Sequence, residues 1–154
     1  MVFSAPARFG AAGGANSGGA QQQLSRIASQ LQGSEELPLV DRTVLDDLEE
    51  QLGRSDMARD FAKDYSALWG QRARRLVDSL EREDQSAALD AAISLKVSSA
   101  MVGGLRLACL AQMLETAVRH GDLHHRASVL AMISIHGPAT VYELERQYLR
   151  KQGD

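Results

Sequence analysis

The sequence predicts an all-α protein: an antiparallel four-helix bundle with an additional N-terminal helical piece and a kinked or broken C-terminal helix. From Val40 onward, apolar residues recur at helical spacing, and no segment alternates apolar and polar residues as a strand would. Short connections separate the helical segments, which favours antiparallel neighbours. With 154 residues and 44% hydrophobic content, the chain is long enough to bury one substantial core.

Composition divides the chain into three regions. Residues 1–20 are rich in glycine, alanine and serine, which predicts a disordered tail because such a segment buries too little apolar surface to offset its ordering entropy. Residues 21–39 predict a short amphipathic helix and a linker, and residues 40–152 predict the bundle. The apolar residues of the short helix share one face: Leu24, Ile27, Ala28 and Leu31. This helix is too short to be stable alone, so we expect it to fold only when docked.

Local signals place the helix ends within the bundle. Asp41 or Thr43 is expected to cap the first helix and Ser55 the second. Gly137-Pro138 is expected to kink or break the last helix, because proline lacks the N–H donor and clashes with the preceding turn. The second helix carries an apolar stripe of Met57, Phe61, Tyr65, Leu68, Leu76 and Leu80.

Charge and composition argue against several classes of function. The net charge is −3, which gives no basic footprint for nucleic acid. No apolar run approaches the roughly 20 residues that a membrane span needs, and the N-terminus has no signal-peptide core. The single cysteine, Cys109, excludes a disulfide framework and is interpreted as a structural thiol in a reducing compartment. We therefore expect a cytoplasmic protein.

The segment from Ala92 to Gly104 reads AISLKVSSAMVGG. It resembles the A-H-x-L-K-G-S-S-x-x-x-G-A motif of histidine-containing phosphotransfer (HPt) domains, four-helix bundles that relay phosphoryl groups between receiver domains in two-component signalling. The family often continues with C-x-x-L-E-x-x-A-R-x-G-D, and the resemblance covers about residues 40–150. The matching residues here are Cys109, Leu114, Glu115, Ala117, Arg119, Gly121 and Asp122.

The chain departs from this motif at the residues that carry the chemistry. The phosphorylated histidine of the family corresponds to Ile93, and the glycine four residues later corresponds to Val97. Isoleucine has no nucleophilic atom, so it cannot be phosphorylated. Valine adds a branched side chain where the resemblance implies open space for a receiver. Lys96 persists, but without a phosphate to neutralise it is expected to be only a surface cation.

Helix geometry divides the third helix into two faces. The predicted core face holds Ala88, Ala91, Leu95, Ser99 and Val102. The opposite face is interpreted as partner-binding and holds Leu89, Ile93, Val97 and Ala100, with Lys96 and Gly104 at its edges. Leaving its three large aliphatic side chains in water would forgo roughly 1.5–3 kcal/mol each. The cover is expected to be the Leu24–Leu31 helix, a second copy of the chain, or a different protein partner.

The remaining candidate residues are four histidines and one tryptophan. His120 ends the fourth helix, where a cation suits the helix dipole, and it is the alternative phosphoacceptor. His124 and His125 are adjacent and point about 100° apart, so no metal site is expected. His136 is expected in a loop, and Trp69 in the core or as a helix-packing anchor.

The resemblance implies a non-catalytic HPt-like interaction module in bacterial two-component or phosphorelay signalling. Its expected partner is a protein, either a response-regulator receiver domain or a histidine kinase, with a homodimer as an alternative. No enzyme activity, cofactor or metal is expected. A second hypothesis is an active phosphorelay carrier that accepts phosphate on a non-standard histidine such as His120. A third hypothesis, a plain helical bundle with an accidental resemblance, predicts a different arrangement of helices.

Overall fold

The computed structural model describes residues 33, 34 and 36–150, and all its regular elements are helical. They are α1 (Arg42–Leu52), α2 (Ser55–Glu81), α3 (Gln85–Met101), α4 (Leu105–His120), α5 (Leu123–Leu144) and a π-helical segment (Glu145–Leu149). This confirms the predicted all-α class. The predicted tail and the Leu24–Leu31 helix lie outside the described residues. In the part of the chain that is described, no helix is long and apolar enough to cross a membrane.

Aspartate side chains cap the N-termini of three helices. Asp41 caps α1 by accepting a hydrogen bond of 3.0 Å from the Thr43 amide, which decides between the two predicted caps. Asp84 and Asp122 cap α3 and α5 in the same way. The predicted Ser55 cap is wrong: Ser55 is the first residue of α2, and no side chain caps that helix. The sequence signal was ambiguous because serine is also tolerated within the first turn.

Helices α2 to α5 form a four-helix bundle in which each helix contacts the next, and α5 closes the ring by contacting α2. Connections of two or three residues join these helices, so neighbours run antiparallel. Helix α1 packs across α2 and α3, and the π-helical segment packs against α2. The α3 helix therefore lies between α2 and α4, with its outer face away from α5.

Two hydrophobic clusters stabilise this arrangement. The larger one fills the bundle with residues from α2 to α5, including the fully buried Leu107, Leu110 and Leu114 of α4. The smaller one lies at the end where α1 meets the π-helical segment. Its buried members are Val40, Leu45, Ala62, Tyr65, Val102, Leu144 and Tyr148. The hydroxyl of Tyr148 donates a hydrogen bond to the Glu49 carboxylate, and burial raises the pKa of this tyrosine.

The last helix is not broken at Gly137-Pro138, because α5 continues through Pro138 to Leu144. His136 is therefore a helical residue, and the expected loop is wrong. Helix α5 passes close to α2 at this point, because a Cβ at position 137 would overlap the Trp69 indole ring. Gly137 thus lets the two helices approach closely, and Trp69 is confirmed as a packing anchor beside the main core.

The linker before α1 is bound to the turn between α3 and α4. The Asp41 amide donates a hydrogen bond of 2.7 Å to the Gly103 carbonyl. Arg106 donates from Nε to the Leu37 carbonyl (2.9 Å) and from its backbone amide to the Pro38 carbonyl (3.1 Å). These bonds fix the linker that precedes α1 against the turn between α3 and α4.

Candidate functional site

The α3 helix presents its small residues to the bundle. Ala88, Leu95, Ser99 and Val102 are buried as predicted, whereas Ala91 is only half-buried. Ala92 and Ser98 are also buried, so the inner face is wider than the helical wheel predicted. The reason is that α3 packs against both α2 and α4, which cover a larger arc than one neighbouring helix would.

The two adjacent serines of the motif have structural roles. The hydroxyls of Ser99 and Tyr65 share a buried hydrogen bond of 2.7 Å that links α3 to α2. Burial raises the pKa of Tyr65 to about 12. The Ser98 hydroxyl donates a bond of 2.7 Å to the Ser94 carbonyl within α3. Both serine side chains are therefore engaged inside the fold and are not available to a partner.

We expect the substitution Tyr65→Phe to lower the free energy of unfolding by about 1–3 kcal/mol. The reason is that it removes one member of a buried hydroxyl pair and leaves Ser99 without its interhelical partner. Chemical denaturation would measure the change. Tyr142→Phe is the matched control, because Tyr142 is 57% exposed and the change should alter stability by less than about 0.5 kcal/mol. Equal effects of the two substitutions would contradict a structural role for the Tyr65–Ser99 pair.

The outer face of α3 carries a graded apolar stripe. Leu89 is half-buried and packs against the main core, so it is less available than predicted. Ile93 is half-buried, Val97 is 51% exposed, and Ala100 is exposed. Met101, which the sequence analysis did not single out, continues the stripe and is exposed. The part of the stripe toward the C-terminal end of α3 is therefore more exposed than the part toward its N-terminal end.

Leu68 of α2 adds to this surface. It is 39% exposed, although its place in the apolar stripe of the second helix suggested that it would be buried. Two contacts give the register of the antiparallel α2–α3 pair. Arg72 lies opposite Ser94, and Tyr65 lies opposite Ser99. Leu68 lies three residues after Tyr65 and four before Arg72, so it is on the same face of α2 as these two residues and level with Val97 along the bundle. We use the name "α3 surface" for Leu68, Ile93, Val97, Ala100 and Met101.

Lys96 is not the free surface cation that we expected. Its Nζ donates hydrogen bonds to Glu115 (2.7 Å) and Gln112 (3.1 Å) of α4. Arg119 contacts the other oxygen of the same carboxylate at 2.7 Å. The bonds from Lys96 and Arg119 lower the pKa of Glu115, which therefore stays ionised at neutral pH. The charge of Lys96 is thus shared with a carboxylate of its own chain.

Arg72 borders the α3 surface on the opposite side from Lys96. Its guanidinium donates a hydrogen bond of 2.8 Å to the Ser94 hydroxyl. Its Nε is buried and has no hydrogen-bond partner among the described residues. The α3 surface therefore has an apolar centre between two cationic side chains, and within the described part of the chain only Lys96 of the two contacts a carboxylate.

Gly104 is buried and does not belong to this surface. A Cβ at this position would lie 3.1 Å from Thr140 Cγ2, 3.3 Å from the Ser99 carbonyl oxygen and 3.6 Å from the Leu39 carbonyl oxygen. The helical wheel extended α3 through Gly104, but α3 ends at Met101 and the chain turns inward. The earlier assignment of Gly104 to the partner-binding face is therefore corrected.

The histidines lie elsewhere, and each has a different environment. His120 is exposed at the last position of α4. Its end of the bundle also holds the start of α3, where the Gln85 side chain donates to the Val118 carbonyl. His125 is buried, which lowers its pKa. His136 is half-buried with Nδ1 3.4 Å from Arg106. None of them lies on the α3 surface.

The α3 surface itself holds no nucleophile or general base, because its five side chains are all aliphatic or thioether groups. No group of three or more potential metal-ligating side chains occurs among the residues that the structure describes. Cys109 is half-buried beside the main core, and burial raises the pKa of its thiol. The arrangement can offer apolar contact area and flanking charge to another molecule.

Comparison with known proteins bears on the fold. No protein-family model and no curated protein matches the chain. Among solved structures, it is similar to the crystal structure of histidine-containing phosphotransfer protein B (HptB) from Pseudomonas aeruginosa PAO1. The two share 23% sequence identity over 73% of this chain and 96% of that chain, with a TM-score of 0.65. The HPt-like bundle is therefore confirmed as the fold, and the hypothesis of a different helical arrangement is wrong.

Proposed function

We propose that this chain is a non-catalytic HPt-like module that binds a signalling protein through the α3 surface. The observation that carries the proposal is the residue at the phosphoacceptor position of the motif. Ile93 has no atom that can accept a phosphoryl group, and Val97 stands beside it with half of its surface exposed. The fold of a phosphotransfer protein is present, while the motif's reactive side chain is absent.

Burial energetics support a binding role for this surface. Completely covering a valine or leucine side chain is worth about 1.5–3 kcal/mol, and Leu68, Val97 and Met101 are each more than one third exposed. Arg72 and Lys96 flank the apolar centre and would favour a partner with acidic groups around an apolar contact. A receiver domain or a histidine kinase of a two-component pathway is the class of partner that the resemblance suggests.

An active phosphorelay carrier is the second candidate, and the exposure of His120 is the observation that favours it. This histidine is reachable from solvent and could in principle accept a phosphoryl group on its imidazole. It lies at the end of α4 instead of on the α3 surface, so a receiver would have to dock at a different place. Acid-labile phosphate on the protein distinguishes the two candidates.

Binding to purified receiver domains of the host tests the proposal. Each domain would be titrated with the chain by calorimetry, both unphosphorylated and in its phosphorylated form. We expect at least one receiver domain to bind saturably, with a dissociation constant in the micromolar range of about 1–100 μM. Concentration-dependent sedimentation of the chain alone would reveal a homodimer as the competing use of the surface. Purified histidine-kinase domains would be titrated in the same way, and if no receiver or kinase domain binds, the proposed function is wrong.

A further inference from the structure

A cleft with a volume of about 460 Å³ lies between α2 and the π-helical segment. Arg59, Lys63 and Ser66 line its α2 wall at helical spacings of four and three, so they share one face of that helix. Leu149 and Arg150 form the opposite wall. The cleft contains none of the residues of the α3 surface.

The lining of this cleft is cationic although the whole chain carries a net charge of −3. Arg59, Lys63 and Arg150 face one acidic residue, Glu145. Neither Arg59 nor Lys63 forms an ion pair with any residue that the structure describes. The Arg150 guanidinium also lies 5.9 Å from the centre of the Tyr142 ring, a cation–π contact that does not neutralise its charge. The cleft therefore concentrates positive charge that the fold itself does not neutralise.

The Ser66 hydroxyl adds a donor that the fold leaves unused. Its oxygen is buried and has no hydrogen-bond partner among the described residues. Two other serines in these helices bond to the carbonyl four residues before them, Ser98 to that of Ser94 and Ser134 to that of Leu130. A buried hydroxyl without a partner costs about 1–3 kcal/mol. Because Ser66 lines the cleft, rotation about its Cα–Cβ bond would turn the hydroxyl to the cleft surface, where an acceptor oxygen from a bound ligand would satisfy it.

We propose that this cleft binds a phosphate monoester. Arg59, Lys63 and Arg150 would neutralise the phosphate, and the Ser66 hydroxyl would donate to one of its oxygens. Leu149 supplies an apolar wall for the organic part of the ligand. The π-helical segment supports this reading, because such irregular turns are frequent at functional sites. The site is independent of the α3 surface, so its failure would leave the proposed function unaffected.

Titration of the full chain with phenyl phosphate, followed by heteronuclear NMR, tests the proposal. We expect saturable shifts of amide signals in α2 and the π-helical segment, with a dissociation constant of about 1 mM. The double substitution Arg59→Gln/Lys63→Gln should weaken binding by about tenfold or more. Ser66→Ala should weaken it by about threefold without lowering Tm, because the hydroxyl has no partner in the free protein.

The matched control is Arg74→Gln/Arg75→Gln, which removes the same charge from exposed positions further along α2. If the control variant binds phenyl phosphate as the unsubstituted chain does, and the Arg59/Lys63 variant binds it more weakly, the result supports a built site. Shifts that do not saturate, or equal weakening by both double substitutions, would overturn the proposal in favour of non-specific charge attraction. Loss of Tm in Ser66→Ala would mean that the hydroxyl has a structural partner, and it would also contradict the assignment.

Discussion

The double substitution Ile93→Asp/Val97→Asp is expected to weaken partner binding by at least about 100-fold while the bundle remains folded. Two carboxylates at the centre of an interface would lose their hydration without gaining a partner, a cost of several kcal/mol. In the free protein they remain in contact with water, because Val97 is exposed and Ile93 is only half-buried. Calorimetric titration with the partner would measure binding, and far-UV circular dichroism would confirm the helical fold.

A pair on α5 provides the matched control for this experiment. Ala131 and Ile135 have the same spacing as Ile93 and Val97, and Ile135 is 63% exposed. Because α5 lies across the ring from α3, Ala131→Asp/Ile135→Asp adds the same charge away from the α3 surface. We expect the control to bind the partner as the unsubstituted chain does. If the α3 variant binds equally well, the α3 surface is not the interface.

Gly103→Ala is expected to give the largest loss of stability, about 3 kcal/mol or more. Two effects combine at this position. Its φ of 80° lies in the left-handed region, which costs an alanine about 1–2 kcal/mol. A Cβ there would also overlap the Asp41 backbone, so the α3–α4 turn would have to move away from the linker and lose the Asp41–Gly103 hydrogen bond. Chemical denaturation gives the free energy of unfolding directly.

Gly53→Ala separates the two effects. Gly53 has a similar φ of 71°, but nothing lies within 4 Å of a Cβ built there. We expect this substitution to cost only about 1 kcal/mol, which is the conformational term without the overlap. A cost for Gly103→Ala no larger than that for Gly53→Ala would show that the linker is not packed against the turn as described.

Local sequence signals predicted the elements of the fold well because they act within one helix. Asp41, one of the two residues predicted to cap the first helix, does so, and glycines of the sequence end α1 at Gly53 and α4 at Gly121. The apolar spacing from Val40 onward correctly predicted the helices of the bundle. Each of these features depends on residues at most a few positions apart, so the chain's own sequence contains the information.

Features that depend on a second helix were predicted less well. The helical wheel assigned Gly104 to an outer face, but Leu39 and Thr140 from distant parts of the chain cover it. The close approach of α5 to α2 at Gly137 involves Trp69, which lies 68 residues away in sequence. The engagement of Lys96 by Glu115 likewise requires the α3–α4 register. Spacing within one helix contains none of this information.

The same difference between local features and features that depend on a second helix applies to the candidate site. The sequence alone identified Ile93 and Val97 as the residues that depart from the phosphotransfer motif, and the structure places both toward the outer side of α3. It could not identify Leu68, because whether a residue of an apolar stripe faces the core or solvent depends on how α2 rotates against its neighbours. The basic cleft was also missed, since its walls come from α2 and from a segment nearly 80 residues later.

Phosphoryl transfer is the measurement that tests the central claim most directly. Phosphorylated receiver domains of the host would be mixed with the chain, with HptB from Pseudomonas aeruginosa PAO1 included as a histidine-containing control protein. We predict no acid-labile label on this chain under conditions in which the control protein is labelled, because Ile93 occupies the acceptor position of the motif. Acid-labile label on this chain would contradict a non-catalytic module, and peptide mapping would then examine His120 first.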